Sequence, residues 1–177
     1  MLGAFGLAAN LYPTGISGND NQYKDYGLDA QIERKVGDKG MLIGRASYVK
    51  EDQNLIASVL ANPATASNSN NSLSSYKANL TWMPNPLHSF SAGVFGTTGT
   101  QDPTLYASEA VSGSATGKPD SQGTILEYSH TPWLNTRFGA QYVMYSKFNG
   151  GSTAYDEAGG RNASHNNALY VYLWFAY

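Results

Sequence analysis

At 177 residues the chain has the length of one ordinary domain, and its 11 Lys and Arg against 13 Asp and Glu leave a net charge of -2, with no basic surplus for nucleic-acid phosphates. The absence of Cys excludes disulfides, thiolate metal sites, thiol nucleophiles and covalent c-type haem attachment, so a redox cofactor is expected only on a partner. No stretch approaches the roughly 18 consecutive apolar residues of a membrane-spanning helix, yet the chain holds 13 Tyr, 6 Phe and 3 Trp and is only 14% charged. Aromatic belts around a polar interior would produce that mixture.

The chain opens at once with strand-like sequence, without a basic start or a cleavage site, which predicts a mature or truncated chain. The first strand spans Leu2 to Leu11, with Gly3, Phe5, Leu7, Ala9 and Leu11 opposed to Leu2, Ala4, Gly6, Ala8 and Asn10. The larger set is expected to face outward. Pro13 to Gln22 reads as a loop, and from Tyr26 the alternation is clean: Tyr26, Leu28, Ala30 and Ile32 against Asp25, Gly27, Asp29, Gln31 and Glu33. Val36 to Gly40 is a tight turn with glycines available for positive φ.

Strand three, Met41 to Lys50, places Leu42, Gly44, Ala46 and Tyr48 outward and Arg45 and Ser47 inward, while Ile43 and Val49 interrupt the inner face. Glu51 to Ser72 reads as a long loop with a short helical segment over Asn54 to Ala61. Strand four sets Tyr76, Ala78, Leu80 and Trp82 against Ser75, Lys77, Asn79 and Thr81, and Pro84 to His88 forms the second short turn. Strand five sets Phe90, Ala92, Val94 and Gly96 against Ser89, Ser91, Gly93, Phe95 and Thr97.

After the loop Thr98 to Gln122, strand six carries Leu126, Tyr128 and His130 opposite Glu127, Ser129 and Thr131, and Pro132 to Asn135 makes the third short turn. Strand seven places Phe138, Ala140, Tyr142, Met144 and Phe148 outward, with Arg137, Gly139, Gln141 and Lys147 inward. Asn149 to His165 is the last long loop. The final strand carries an unbroken apolar row, Leu169, Val171, Leu173, Phe175 and Tyr177, ending on an aromatic residue that an assembly machine could read.

Short turns thus alternate with longer loops, as in outer-membrane barrels. A core strand of a soluble sandwich explains the last strand taken alone. A lipocalin would share an eight-strand meander but would put apolar residues inside. The parity here is reversed, so the expected fold is an all-β antiparallel up-and-down transmembrane β-barrel, eight strands in this chain and possibly a fragment of a larger barrel.

The expected inward charges are Asp25, Asp29, Glu33 and Glu127 with Arg45, Lys77, Arg137 and Lys147. In a closed eight-stranded barrel they would pair and plug the lumen; in a larger one they would line water and bias the passage of charged solutes. His88, His130 and His165 have no spacing that suggests a metal site. Asp52, Asp102, Asp156 and Glu157 could hold a divalent cation weakly, though solvated surface acids are the simpler reading. Asn70, Asn79 and Asn162 open glycosylation triplets that are chance matches in a bacterium. No Ser-His-Asp constellation can be argued, so no enzyme is expected.

Leu126-Glu-Tyr128, Pro132-Trp-Leu-Asn-Thr136, Tyr142, Phe148-Asn-Gly150, Tyr155-Asp156, Gly160-Arg-Asn-Ala-Ser164 and Asn166-Asn-Ala-Leu-Tyr170, with Ala46-Ser-Tyr48 and Glu51-Asp-Gln-Asn-Leu55 earlier, resemble a bacterial outer-membrane family. These porin-like proteins are often described as cytochrome-associated or cytochrome-fused. His165 stands where the pattern has Asp, and the haem-attachment motif of some members has no counterpart. The resemblance implies an outer-membrane location, contact with lipid and with the barrel-assembly machinery, and passage of small solutes or a sheath around a c-type cytochrome. Haem would then belong to that partner or to an upstream segment. The alternative is a closed eight-stranded anchor or adhesin using its loops; a lipid-modifying enzyme would need a triad that is absent.

Overall fold

Alternating residues with charges on one side and branched or aromatic side chains on the other can satisfy their backbone only by pairing with strands of the same parity. In the computed structural model, which describes residues 1–13, 15, 17–157 and 159–176, eight strands do so. They are β1 (Leu2–Leu11), β2 (Asn21–Val36), β3 (Gly40–Asn54), β4 (Asn70–Asn85), β5 (His88–Gly99), β6 (Ser121–Trp133), β7 (Thr136–Lys147) and β8 (Ala168–Phe175). Each is antiparallel to the next in one sheet whose spatial order is the chain order. Among the described residues, helix is confined to α1 (Ile56–Ala61) and a 3-10 turn (Ala163–Asn166).

The meander matches expectation; closure does not. β1 pairs with β2 alone and β8 with β7 alone, so the sheet ends in two edges rather than closing into a barrel.

The register joins the outward rows into continuous rungs. Ile32, Gly44, Leu80, Ala92, Leu126, Tyr142 and Leu169 lie side by side across seven strands. On the other face the neighbouring rung reads Glu33, Ile43, Thr81, Ser91, Glu127, Gln141 and Tyr170. One face is therefore apolar and the other polar. Among the described residues no second layer covers the apolar face: Leu28 is 60% exposed, Ile32 71% and Val171 78%.

Three expectations are corrected. In β1, Phe5 and Leu7 lie on the polar face, opposite Gly27 and Asp25, while Leu2, Ala4, Gly6 and Ala8 join the apolar face. Both faces of this strand are apolar, so its own pattern could not orient it. Its partner does, because the Phe5 ring occupies the place a side chain on Gly27 would need. In β7, an irregularity opposite Gln122 and Gly123 inserts an extra residue and breaks the alternation. Phe148 leaves the sheet and packs edge-on between Tyr145 and Tyr155 rather than facing outward, and Lys147 stands at the rim. Finally, β2, β3 and β4 run well past their expected ends, at 16, 15 and 16 residues. Polar side chains do not interrupt a ladder made of backbone, and across it Lys24 faces Asp52.

The short turns are as expected. Gly37 takes a positive φ of 66°, whereas Gly40 is required for a different reason: a side chain there would strike the Val36 carbonyl.

Candidate functional site

The polar face carries most of the chemistry. Its charges come from β2 (Asp25, Asp29, Glu33), β3 (Arg45), β4 (Lys77), β6 (Glu127) and β7 (Arg137), at alternate positions whose parity the register fixes. Glu127 is the best-connected of them. It accepts hydrogen bonds from Tyr172 Oη at 2.7 Å and Gln141 Nε2 at 2.8 Å, and lies 3.5 Å from the Arg137 guanidinium. Arg137 Nε in turn donates to Ser129 Oγ at 2.9 Å, which meets Ser89 Oγ at 2.6 Å. The Tyr172 ring reaches Glu127 by lying over Gly139.

The remaining charges are not paired with one another. Arg45 Nε donates to Gln31 Oε1 at 2.9 Å, and Gln31 Nε2 donates to Glu33 at 2.6 Å. Among the described residues, Asp25, Asp29, Glu33, Arg45 and Lys77 form no ion pair. Lys147 does, but with Asp120 at the rim, 3.0 Å away. A hollow of about 380 Å³ opens between Arg45, Asn79, Thr81, Ser91, Glu127 and Arg137. The side chains around it leave this hollow unfilled.

At the loop end, two acids organise the connections. Asp102 is fully buried and accepts from the backbone N–H groups of Ser67, Asn68, Thr104 and Leu105 and from the Asn71 amide, at 2.8–3.1 Å. Burial pushes its carboxyl upward, but the donors, Leu105 and Asn71 foremost, outweigh burial and hold it well below the usual carboxylate range. Tyr106 nearby is pushed up by burial, then by the charges of Asp102 and Glu51.

Asp156, also buried, accepts from Val111 N at 2.9 Å and Arg161 N at 2.8 Å. The Val111 bond lowers its carboxyl against the opposing effect of burial. Tyr155 beside it is fully buried, donates to the Val111 carbonyl at 2.7 Å, and ends an aromatic column running through Phe148 and Tyr145 to Phe95. Asp102 and Asp156 are thus buried structural clasps, not the solvated surface acids expected from the sequence. Asp52 lies in β3, 3.3 Å from Lys50. Glu157 adopts a positive φ in the last loop.

At the turn end the apolar face becomes aromatic. Trp82 stacks on Phe90, and Phe90 packs against Tyr128. The apolar row of β8 joins the same face, with Leu169, Val171, Leu173 and Phe175 at 60% exposure or more; Tyr177, the expected end of that row, lies outside the described residues. Sequence reasoning missed the Tyr172 and Asp120 partners and the meeting of His88 with His130. Only Tyr172 left a signal, since alternation from Leu173 puts it on the charged face.

Comparison with protein families, characterised proteins and solved structures returns no match to this chain.

Proposed function

We propose that the chain forms the wall of an outer-membrane porin-like β-barrel, its apolar face against lipid and its charged face against a water-filled passage. The observation that carries this reading is the pairing of an uncovered apolar face with a polar face whose charges are mostly unpaired. In water, each fully exposed leucine-sized side chain forfeits about 2 kcal/mol, and a contiguous patch of this extent marks a contact surface. The height of the band supports lipid as the contact. The stretch from Tyr26 to Arg34 matches the roughly 9–11 residues with which a tilted strand crosses hydrocarbon. Above it Lys50 pairs with Asp52, and at its lower edge stand Trp82 and Phe90.

A passage for small solutes is the first role; a sheath around a redox partner is its extension. The chain has no Cys for thioether attachment of haem, and neither of the stacked histidines lies on the polar face, so a haem would belong to a partner cytochrome. A second reading, a membrane anchor displaying its loops, is favoured by the order of the loop end, where Asp102 and Asp156 clasp distant segments.

Reconstitution of the full chain into planar bilayers tests the choice. Stepwise conductance that shifts in ion selectivity with Arg45→Glu and Lys77→Glu is expected of the passage. A bilayer-inserted but electrically silent protein would replace it with the anchor, and failure to enter liposomes would overturn both. Copurification of a haem-absorbing protein is the additional result the sheath requires.

A further inference from the structure

The first and last strands differ from those between them. Each inner strand sets polar side chains on one face, but β1 places Phe5 and Leu7 on the charged face and β8 places Tyr170, Tyr172 and Trp174 there. Both edge strands therefore lack a charged side, and Phe5, Leu7, Tyr170 and Trp174 are each more than half exposed on it. Neither strand holds a charged residue or a proline, and each pairs with its one neighbour without a bulge. Charges, prolines and bulges are the devices that keep an open edge from pairing. A strand apolar on both faces is one that is covered on both.

Strand direction selects the pairing. As first and eighth members of an antiparallel meander, β1 runs from the turn end to the loop end and β8 runs back. Laid along β1, β8 is antiparallel, keeps the apolar faces continuous and brings its aromatic row against Gly3, Phe5 and Leu7. Two copies of β1 would pair antiparallel with matched faces only by setting a loop end beside a turn end, which would send the loops of the two copies to opposite sides of a membrane.

Closure within one chain meets an obstacle. The interior of an eight-stranded barrel is just wide enough for side chains to fill. It would enclose Asp25, Asp29, Glu33, Arg45 and Lys77, which form no ion pair among the described residues, and enclosed charges without partners are unfavourable. Sixteen strands leave the same face in water.

We propose that two copies of this chain close one sixteen-stranded barrel through two identical seams, β8 of each copy on β1 of the other. A two-fold axis along the barrel relates the copies, and every backbone group of the two edges gains a partner. The inference rests on the membrane reading above and adds its stoichiometry.

The absence of Cys gives the test a clean background. Phe5→Cys and Leu7→Cys mark β1, and Tyr170→Cys and Trp174→Cys mark β8. One β1 variant and one β8 variant are mixed, refolded into liposomes and treated with a short bis-maleimide. A covalent dimer in the mixture, and in neither variant alone, is expected. Dimer from a β1 variant alone overturns the proposal, as does a chain with one cysteine on each edge that cross-links only within itself. Flotation of the same liposomes separates the two readings: floated protein that does not cross-link overturns the shared barrel alone, whereas protein that does not float overturns the membrane reading and the barrel with it. Should the variants fail to fold, the wild-type chain decides: sedimentation in detergent should give twice the mass of one chain, and a single-chain mass refutes the seams.

Discussion

The two ends of the sheet are built on different physics. At the loop end, long connections of poor local pattern are ordered by a few buried polar groups: Asp102 gathers five donors from two loops and the start of β4, and Asp156 clasps two more segments. At the turn end there is little to clasp. Pro86–Leu87 and Leu134–Asn135 are all that separates their strands, and order comes from cross-strand stacking of Trp82, Phe90, Tyr128, His88 and His130. One end depends on ionised carboxylates and the other on register, which means the two should fail under different insults.

The largest separation is expected from Asp102→Ala. It strands the N–H groups of Ser67, Asn68, Thr104 and Leu105 and the Asn71 amide in a buried site, at a cost of about 3 kcal/mol. Limited proteolysis should then cut within 55–69 and 100–120 while strand circular dichroism is retained; uncut loops would show that the clasp is dispensable.

Acid should produce a milder version of the same effect. The folded carboxyls of Asp102 and Asp156 lie below their ordinary values, so the stabilisation is fully present above the unfolded value of about 3.9. It is lost progressively as pH falls below that value toward the folded one. Loop cleavage by an acid-tolerant protease should therefore rise between pH 5 and pH 2, with the stacked turn end unaffected. A flat profile would contradict the depressed values.

Between the ends, Gly139→Val tests the polar face. A side chain there displaces the Tyr172 ring and breaks its bond to Glu127, for about 2 kcal/mol read as a lowered thermal midpoint. The smallest effect is expected of Glu127→Gln, which removes an ion pair whose Arg137 partner is 43% exposed, worth about 1 kcal/mol or less after solvent screening. A larger loss would mean that the hydrogen bonds from Tyr172 and Gln141, rather than the ion pair, hold the centre.

Legibility in the sequence followed contrast. β2 could be oriented because Asp25, Asp29 and Glu33 alternate with Tyr26, Leu28, Ala30 and Ile32, leaving no second solution. The pattern of β1 does not orient it, because Leu2, Phe5 and Leu7 fall on both faces and only the fit of Phe5 over Gly27 distinguishes them. The place of Phe148 cannot be read from alternation, because an inserted residue at a bulge reverses every later side chain. Only part of the role of Asp102 had a local trace, in the N–H groups of Thr104 and Leu105 just after it; its donors from Ser67, Asn68 and Asn71 come from the loop before β4 and the start of that strand.

The sequence by itself determined that this chain is a meander of antiparallel strands with one apolar and one charged face, because period-two alternation is a property of each strand alone. Tertiary structure decided which residues meet. It joined Glu127 to Tyr172 and His88 to His130, and sent Asp102 inward. It also left β1 and β8 as free edges rather than a closed seam. Those outcomes depend on register, twist and loop packing, quantities that exist only between strands.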